Sequence, residues 1–200
     1  MDTLIIVLFI CGAFLFGSIP TGYLLVKYVK HIDIREIGSG NIGSTNVKRA
    51  AGRKISLITQ VGDILKGTIP VVVAMLVVPH LDLGVKTYVV TSLTALAAIA
   101  GHNFTPFLRF RGGKGVNTTL GTFILITPFS IIAAACVFFL LRFVISITSI
   151  RSIAAGVTLA VATVILSYPL FVIITAAVAG GLIVVRHIDN IKRLIAGTES

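Results

Sequence analysis

The sequence predicts an all-α integral membrane protein, and three observations carry this prediction. The 200 residues are 56% hydrophobic and only 12% charged, about half of the ~25% charged residues typical of soluble domains. The mean hydropathy is +1.04, and several apolar runs approach the roughly 20 residues that cross a bilayer as a helix. The 17 Lys and Arg, against 7 Asp and Glu, fall mostly in alternate connections between those runs.

Seven apolar segments follow one another along a single domain, residues 1–200. Proline ends or kinks a helix at the preceding residue, so Thr127-Pro128 divides the long run Val116–Phe143 into a short fourth helix and a fifth. The other expected spans are Leu4–Val26, Ile55–Val78, Thr87–Ala100, Ile153–Leu166 and Leu170–Val185.

The distribution of cations predicts the orientation of the chain. The first polar connection, the connection from Gly101 to Gly115, the turn at Arg151 and the C-terminal tail hold nearly all of them, whereas the opposite side keeps only Lys86. By the positive-inside rule, the N-terminus lies outside and the C-terminus lies in the cytoplasm. A count of six spans would place cation-rich connections on both sides of the membrane.

A basic, glycine-rich loop, Phe110–Thr119, is the most informative polar segment. Glycines allow successive backbone N–H groups to converge on one point, and such a concavity binds anions. Lys114 adds a positive charge among Gly112, Gly113 and Gly115, and a helix beginning near Asn117 would add its N-terminal N–H groups. The spacing differs from a Walker A loop. The segment predicts phosphate or carboxylate binding at a bilayer surface, and a positive-inside anchor with incidental glycines is the less favoured alternative.

Four further polar features are expected at or near the same face. Gly38–Gly43 fits GxGxxG, but no strand precedes it, which excludes a dinucleotide fold. Asp63 and Lys66 share a helix face, and for this pair a structural role is favoured over a catalytic one. His102 suits either proton transfer or packing. His187 and Asn190, three residues apart in the tail, also share a face.

The sequence lacks the motifs that are typical of several classes of enzyme. It contains no HExxH, no CxxC, no carboxylate cluster and no Gly-x-Ser-x-Gly elbow, so we expect no metal and no cofactor. Cations, amides and hydroxyls remain, which suit phosphate binding and oxyanion stabilisation more than the making of a strong nucleophile. The positive charge of an apolar chain indicates membrane lipid and anionic substrates and not nucleic acid.

Five motifs in order resemble those of the bacterial acyl-phosphate:glycerol-3-phosphate acyltransferases, over nearly the whole chain. The motifs are Ser39-Gly40-Asn41-x-Gly43-x-Thr45-Asn46, Gly62-Asp63-x-x-Lys66-Gly67, Gly101-His102-Asn103-Phe104, Arg111-Gly112-Gly113-Lys114-Gly115-Val116 and Arg186-His187-x-x-Asn190-Ile191-x-Arg193-Leu194-x-x-Gly197-Thr198-Glu199. The resemblance implies a monomeric seven-span enzyme of the bacterial inner membrane with a cytoplasmic active site. It implies transfer of a fatty acyl group from acyl phosphate to the sn-1 hydroxyl of glycerol 3-phosphate, giving lysophosphatidic acid and inorganic phosphate.

The resemblance also implies roles for individual residues. Gly112, Gly113, Lys114 and Gly115 would hold the donor phosphate, with Asn117 and Thr118 lining the loop. Glycerol 3-phosphate would be held by Ser39, Arg49 and Lys114, within a substrate-binding segment that includes Asn41, Thr45 and Asn46. His187, Asn190 and Ser152 would lie at or near the reacting groups.

The residues leave three questions open. The proton of the attacking hydroxyl could pass to His187 or to the donor's own phosphate, and we favour the phosphate. A covalent intermediate on Ser39 or Ser152 is less favoured, because neither has an evident base in the sequence. A small-anion transporter and a structural lipid binder are the rival classes. The first fits broken helices and buried charge, but we find no internal repeat.

Overall fold

The computed structural model describes residues 2–199, and in that part of the chain every regular element is helical. This confirms the all-α prediction. The α-helices are α1 Asp2–Gly17, α2 Thr21–Lys30, α3 Ser44–Val77, α4 Thr87–Asn103, α5 Val116–Ile126, α6 Pro128–Leu140, α7 Thr148–Ile165, α8 Leu170–Arg186 and α9 Ile188–Ile195.

Two expected boundaries agree with the structure and two do not. The chain breaks between α5 and α6 at Thr127-Pro128 and turns between α7 and α8, as predicted. The first span is not one helix, because residues 18–20 separate α1 from α2. The first polar connection is also shorter than expected. Helix α3 begins at Ser44 and is interrupted at Gly52, whose φ of 83° and ψ of 177° are non-helical.

The break between α1 and α2 leaves backbone carbonyls without helical partners, and buried side chains bind them. Thr105 Oγ1 donates to the Ser18 carbonyl at 2.7 Å, and Lys66 Nζ donates to the Ile19 carbonyl at 2.8 Å. Within a bilayer such carbonyls need partners inside the protein. The break is therefore a stabilised feature of the fold.

Three helical stretches of the described chain are long and apolar enough to cross a bilayer on their own. They are Asp2–Lys30, Ser44–His80 and Thr148–Ile165, with a fourth if the bent pair α8 and α9 is counted as one. Helix α5, with 11 residues, is about 16 Å long, roughly half of the ~30 Å hydrocarbon core. The seven-span arrangement therefore stays a prediction.

The outer surface of the helices carries large apolar side chains. Leu8, Leu76, Ile165 and Leu170 each expose more than 60% of their surface. Small or polar groups lie inside, among them Ser92, Thr94, Thr119 and Thr122, which are buried. This inverted pattern fits lipid as the surrounding solvent, where helices associate through close packing and hydrogen bonds.

Glycines bring pairs of helices into close contact and fix α5 against α3. A methyl group on Gly121 of α5 would lie 2.1 Å from the Ile64 carbonyl of α3, and one on Gly67 of α3 would lie 2.5 Å from the Thr118 carbonyl of α5. Gly17 of α1 and Gly101 of α4 approach the opposite backbones in the same way. The first of these crossings holds the N-terminus of α5 beside α3.

Candidate active site

The polar segments that sequence analysis assigned to one face do meet, around a cavity of about 1120 Å³ at one end of the helices. Of the expected site residues, the lining includes Ser39, Asn41, Thr45, Asn46, Arg49, Lys114, Gly115, Asn117, Ser152, His187 and Asn190. Gly112, Gly113 and Thr118 lie behind this lining. Segments up to about 150 residues apart thus form one site.

Gly112 and Gly113 do not form the anion nest that was expected. The Gly112 N–H donates to the Asn103 carbonyl at 3.2 Å, and the Gly113 N–H donates to the His102 carbonyl at 3.0 Å. These two carbonyls end α4, where helical partners are missing. The glycines are required for space, since a methyl group on Gly113 would lie 2.1 Å from His102 Nε2.

The first turn of α5 is the better anion site. Gly115, with a φ of 80°, precedes this helix, and no side chain of the described residues caps it. The N–H groups of a helix's first turn lack intrahelical acceptors and carry partial positive charge. Lys114, Gly115, Val116 and Asn117 all line the cavity. The helix N-terminus that the sequence predicted beside the glycines is thus present and begins at Val116, whereas the N–H groups of Gly112 and Gly113 are already used.

A chain of hydrogen bonds joins Lys114 to the C-terminal tail. Lys114 Nζ donates to Asn190 Oδ1 at 2.5 Å, and Asn190 Nδ2 donates to Glu199 Oε1 at 2.5 Å. Glu199 also accepts from Ser149 Oγ at 3.1 Å and from Arg193 Nε at 2.6 Å. Burial would raise the pKa of Glu199, but these hydrogen bonds outweigh it and lower the pKa. Asn190 is therefore held with its carbonyl oxygen toward Lys114.

Burial beside the cavity lowers the pKa of two titratable groups that line it, Lys114 and His187. Burial, the largest cause, together with neighbouring arginines lowers the pKa of Lys114 to about 8. Burial and then the charge of Lys114 lower the pKa of His187 to about 4. His187 is consequently neutral near pH 7. Its Nδ1 lies 2.7 Å from the Ile183 carbonyl, so Nδ1 carries the proton and Nε2 presents a lone pair.

Asn46 builds the first polar connection and does not present a free amide to the cavity. Its Nδ2 donates to the carbonyls of Ile34, Ile37 and Asn41, and its Oδ1 accepts from the Ser39 N–H. The Asn41 side chain likewise accepts from the Gly43 N–H at 2.9 Å. The geometry therefore favours a role in shaping the loop over substrate binding for Asn46, because both N–H groups of its amide are already used.

Ser152 stands where the polar cavity meets a smaller apolar pocket. Its hydroxyl donates to the Thr148 carbonyl at 3.0 Å. The apolar pocket, of about 120 Å³, is lined by α3, α5, α6, α7 and α8, and its lining shares Val116, Phe138 and Ser152, among others, with the polar cavity. A molecule with a polar head and an apolar tail would fit across this junction.

A buried ion pair lies beside the cavity, which Asp63 and His102 line. Lys66 Nζ lies 2.8 Å from Asp63 Oδ1, and His102 Nδ1 lies 3.7 Å from the same oxygen. All three side chains are at most 4% exposed. Because Lys66 also binds the Ile19 carbonyl, this geometry favours the structural role over the catalytic one for Asp63 and Lys66.

Sequence reasoning missed three charged residues near the site. Arg151 was counted only as a cation of a connection, Arg186 only as a tail cation and the start of a motif, and Glu199 only as the end of that motif. Arg151 is buried, donates to Thr148 Oγ1 at 2.9 Å and lines the cavity. No local spacing links these residues to the loop, so only the fold brings them together. Among residues 2–199, no group of three or more His, Cys, Asp or Glu could hold a metal ion.

Fold and site together define an integral membrane protein with a cationic cavity for anions that opens beside an apolar pocket. Residues 7–197 match the family described as glycerol-3-phosphate acyltransferase. The chain is 50% identical over 196 residues to the glycerol-3-phosphate acyltransferase of Clostridium acetobutylicum, covering 98% of this chain and 99% of that one. It is 38% identical over 203 residues to that of Aquifex aeolicus, covering 100% and 98%.

Solved structures agree with the sequence relatives. A crystal structure of PlsY (YgiH), an integral membrane glycerol 3-phosphate acyltransferase in its glycerol 3-phosphate form, superposes with a TM-score of 0.89 at 35% identity, covering 98% of this chain and 94% of that one. The lysophosphatidic acid form of PlsY gives 0.85 at 34% identity over the same shares. This chain belongs to the glycerol-3-phosphate acyltransferase family and is a membrane acyltransferase of lipid synthesis.

Proposed function

We propose that this enzyme transfers a fatty acyl group from acyl phosphate to the sn-1 hydroxyl of glycerol 3-phosphate. The products are lysophosphatidic acid and inorganic phosphate. The observation that carries the proposal is the meeting of Lys114 and the uncapped N-terminus of α5 with His187 and Asn190 across one cavity. The related PlsY structures, described as glycerol 3-phosphate and lysophosphatidic acid forms, support the same acceptor and product.

The cavity suits two phosphate groups and one acyl chain. The α5 N-terminus and Lys114 would bind the phosphate of the donor, while Ser39 and Arg49 would bind that of glycerol 3-phosphate from the opposite wall. The apolar pocket beside Ser152 would take the start of the acyl chain. Two dianionic substrates repel each other, so the cations that bring them together supply proximity and charge neutralisation, the main needs of this reaction.

The reaction then needs no strong protein nucleophile. The sn-1 hydroxyl oxygen attacks the acyl carbonyl carbon, the bond from that carbon to the phosphate oxygen breaks, and inorganic phosphate leaves. Because the pKa of His187 is about 4, its Nε2 is a weak base and serves better to orient the hydroxyl. The hydroxyl proton passes to a phosphate oxygen of the donor, which becomes more basic as the bond to the acyl carbon breaks and inorganic phosphate forms.

The enzyme would sit in the bacterial inner membrane as a seven-span monomer with its active site in the cytoplasm. The cationic segments that line the cavity support this orientation, because positive charge marks the cytoplasmic side. The apolar outer faces of the helices support burial in lipid. A cytoplasmic opening would meet soluble glycerol 3-phosphate, and the adjoining apolar pocket would meet a donor dissolved in the bilayer.

The direct test identifies the lipid product. Purified protein in bicelles receives palmitoyl phosphate and ¹³C-labelled glycerol 3-phosphate, and NMR locates the new ester. The proposal expects the ester on the sn-1 carbon and one phosphate released for each ester formed, with Lys114→Ala strongly impaired. An ester at sn-2, or none from folded protein, would count against it. Uptake of glycerol 3-phosphate by reconstituted vesicles would support the rival transporter.

A further inference from the structure

Arg186, the last residue of α8, contacts the glycine-rich loop that carries Lys114 but does not line the cavity. Its Nη2 donates to the Gly112 carbonyl at 2.9 Å, and its Nε donates to the Gly113 carbonyl at 3.0 Å. The guanidinium also lies 5.5 Å from the centre of the Phe104 ring. Arg186 is outside the set of residues that line the cavity within the described chain.

The Gly112-Gly113 segment is consequently held from two sides. Its N–H groups donate to the end of α4, and its carbonyls accept from Arg186. In a trans peptide the C=O and the next N–H point in opposite directions. With the Gly113 carbonyl directed at Arg186, the Lys114 N–H points away from it. The guanidinium therefore sets the orientation of the peptide unit that carries Lys114.

Arg186 also directly precedes His187, and Asn190 follows one turn later. The same side chain therefore ties the loop that presents Lys114 to the segment that presents the groups expected at the acceptor hydroxyl. A planar fork of two N–H donors is needed for this contact, and a lysine ammonium lacks that geometry. Positive charge alone would not replace it.

We propose that Arg186 is a positioning residue for acyl transfer, which acts through the Gly112 and Gly113 carbonyls and does not contact substrate. This inference rests on the proposed function. It predicts that the glycine-rich loop becomes more mobile when the guanidinium of Arg186 is removed, even if a positive charge remains at this position. A misplacement of about 1 Å at a reacting group can reduce the rate about 10²-fold.

The test compares R186K and R186A with wild type and with K192A, which removes a charge from an exposed position on α9. We expect kcat/KM to fall about 10²-fold in both Arg186 variants, mostly in kcat, with no change in K192A. Hydrogen exchange on a peptide covering residues 110–117 should speed up in both. Added methylguanidine should restore part of the activity of R186A and slow its exchange.

Two results would overturn the inference. Wild-type activity and exchange in R186K would mean that charge alone is required. Lost activity with unchanged exchange would mean that Arg186 acts on substrate and not on the loop. If R186A fails to fold, the conservative R186K still decides between these results. A wild-type enzyme without turnover would contradict the proposed function, while the exchange comparison would still test the loop contact.

Discussion

Lys114 is the residue whose charge state should govern the reaction. Its pKa is lowered to about 8, so the free enzyme loses this positive charge as the pH rises through 8. Because kcat/KM reports groups of the free enzyme, kcat/KM should decline above about pH 8, by about tenfold per unit. Initial rates from pH 6 to pH 10, corrected for spontaneous hydrolysis of the donor, would measure this decline.

The variant Lys114→Arg provides a matched control for that decline. Arginine keeps its charge over the whole range, so whatever activity the variant retains should show no decline near pH 8. Lys114→Ala should lose at least about 10²-fold in kcat/KM, the usual cost of removing a group that stabilises developing negative charge. A decline near pH 8 that persists in the arginine variant would assign it to another group.

Ser152 and Ser39 are the residues at which a covalent intermediate would form. The Ser152 hydroxyl donates its proton to the Thr148 carbonyl, which cannot act as a base. Direct transfer therefore predicts no acyl-enzyme. Without glycerol 3-phosphate, ³²P-labelled inorganic phosphate should not exchange into palmitoyl phosphate. Exchange that depends on active protein, and that disappears in Ser152→Ala or Ser39→Ala, would show an acyl-enzyme instead.

At this scale the sequence predicted which residues gather at the site better than it predicted what they do. Lys114, His187 and Asn190 meet as expected. Asn46 shapes the loop instead of presenting a free amide. The sequence could not predict this, because an amide can bind backbone or ligand equally and its sequence context does not distinguish them. Gly112 and Gly113 serve packing and loop shape, which depend on the position of His102 and Arg186 in three dimensions.

The crossing of α3 and α5 is the element contact that holds the anion site. A methyl group on Gly121 would lie 2.1 Å from the Ile64 carbonyl, whereas one on Gly181 of α8 meets nothing within 4 Å. Gly121→Ala should cost about 1–3 kcal/mol through overpacking and should lower both activity and the apparent Tm. Gly181→Ala should leave activity unchanged and gain up to about 1 kcal/mol from helix propensity.

The chain contains no tryptophan, so thermal unfolding would be followed by light scattering. Turnover measured in parallel would complete the comparison of these two variants. Equal Tm values for Gly121→Ala and wild type would contradict the close crossing. The pair is informative because each variant adds the same methyl group inside a helix, and only the surroundings differ.

Helix positions were predicted where sequence signals are unambiguous. Thr127-Pro128 ends α5 because proline cannot continue the hydrogen-bond ladder. The break at residues 18–20 was missed although Pro20 lies there, because membrane helices also tolerate Gly and Pro and the run Leu4–Val26 was therefore interpreted as one span. The helical segment from Ser44 was missed because its polar residues face a cavity, and hydropathy reads such a segment as a loop.

The whole molecule is expected to have its N-terminus outside and its C-terminus in the cytoplasm. In a variant without Cys11 and Cys136, a single cysteine at Lys86 should react with a membrane-impermeant thiol reagent in right-side-out vesicles. A cysteine at Lys192 should react only in inside-out vesicles. Both positions are exposed, so accessibility differs only by side. Labelling of both from one side would contradict the predicted orientation.

The central claim is that one cationic cavity brings acyl phosphate and glycerol 3-phosphate together. The most direct measurement follows both inorganic phosphate and lysophosphatidic acid formed by the purified protein in bicelles, with each substrate alone, with both, and with palmitoyl-CoA in place of palmitoyl phosphate. We expect phosphate release only when palmitoyl phosphate and glycerol 3-phosphate are both present, and no acyl transfer from palmitoyl-CoA. No release from folded protein, or equal acyl transfer from palmitoyl-CoA, would contradict it.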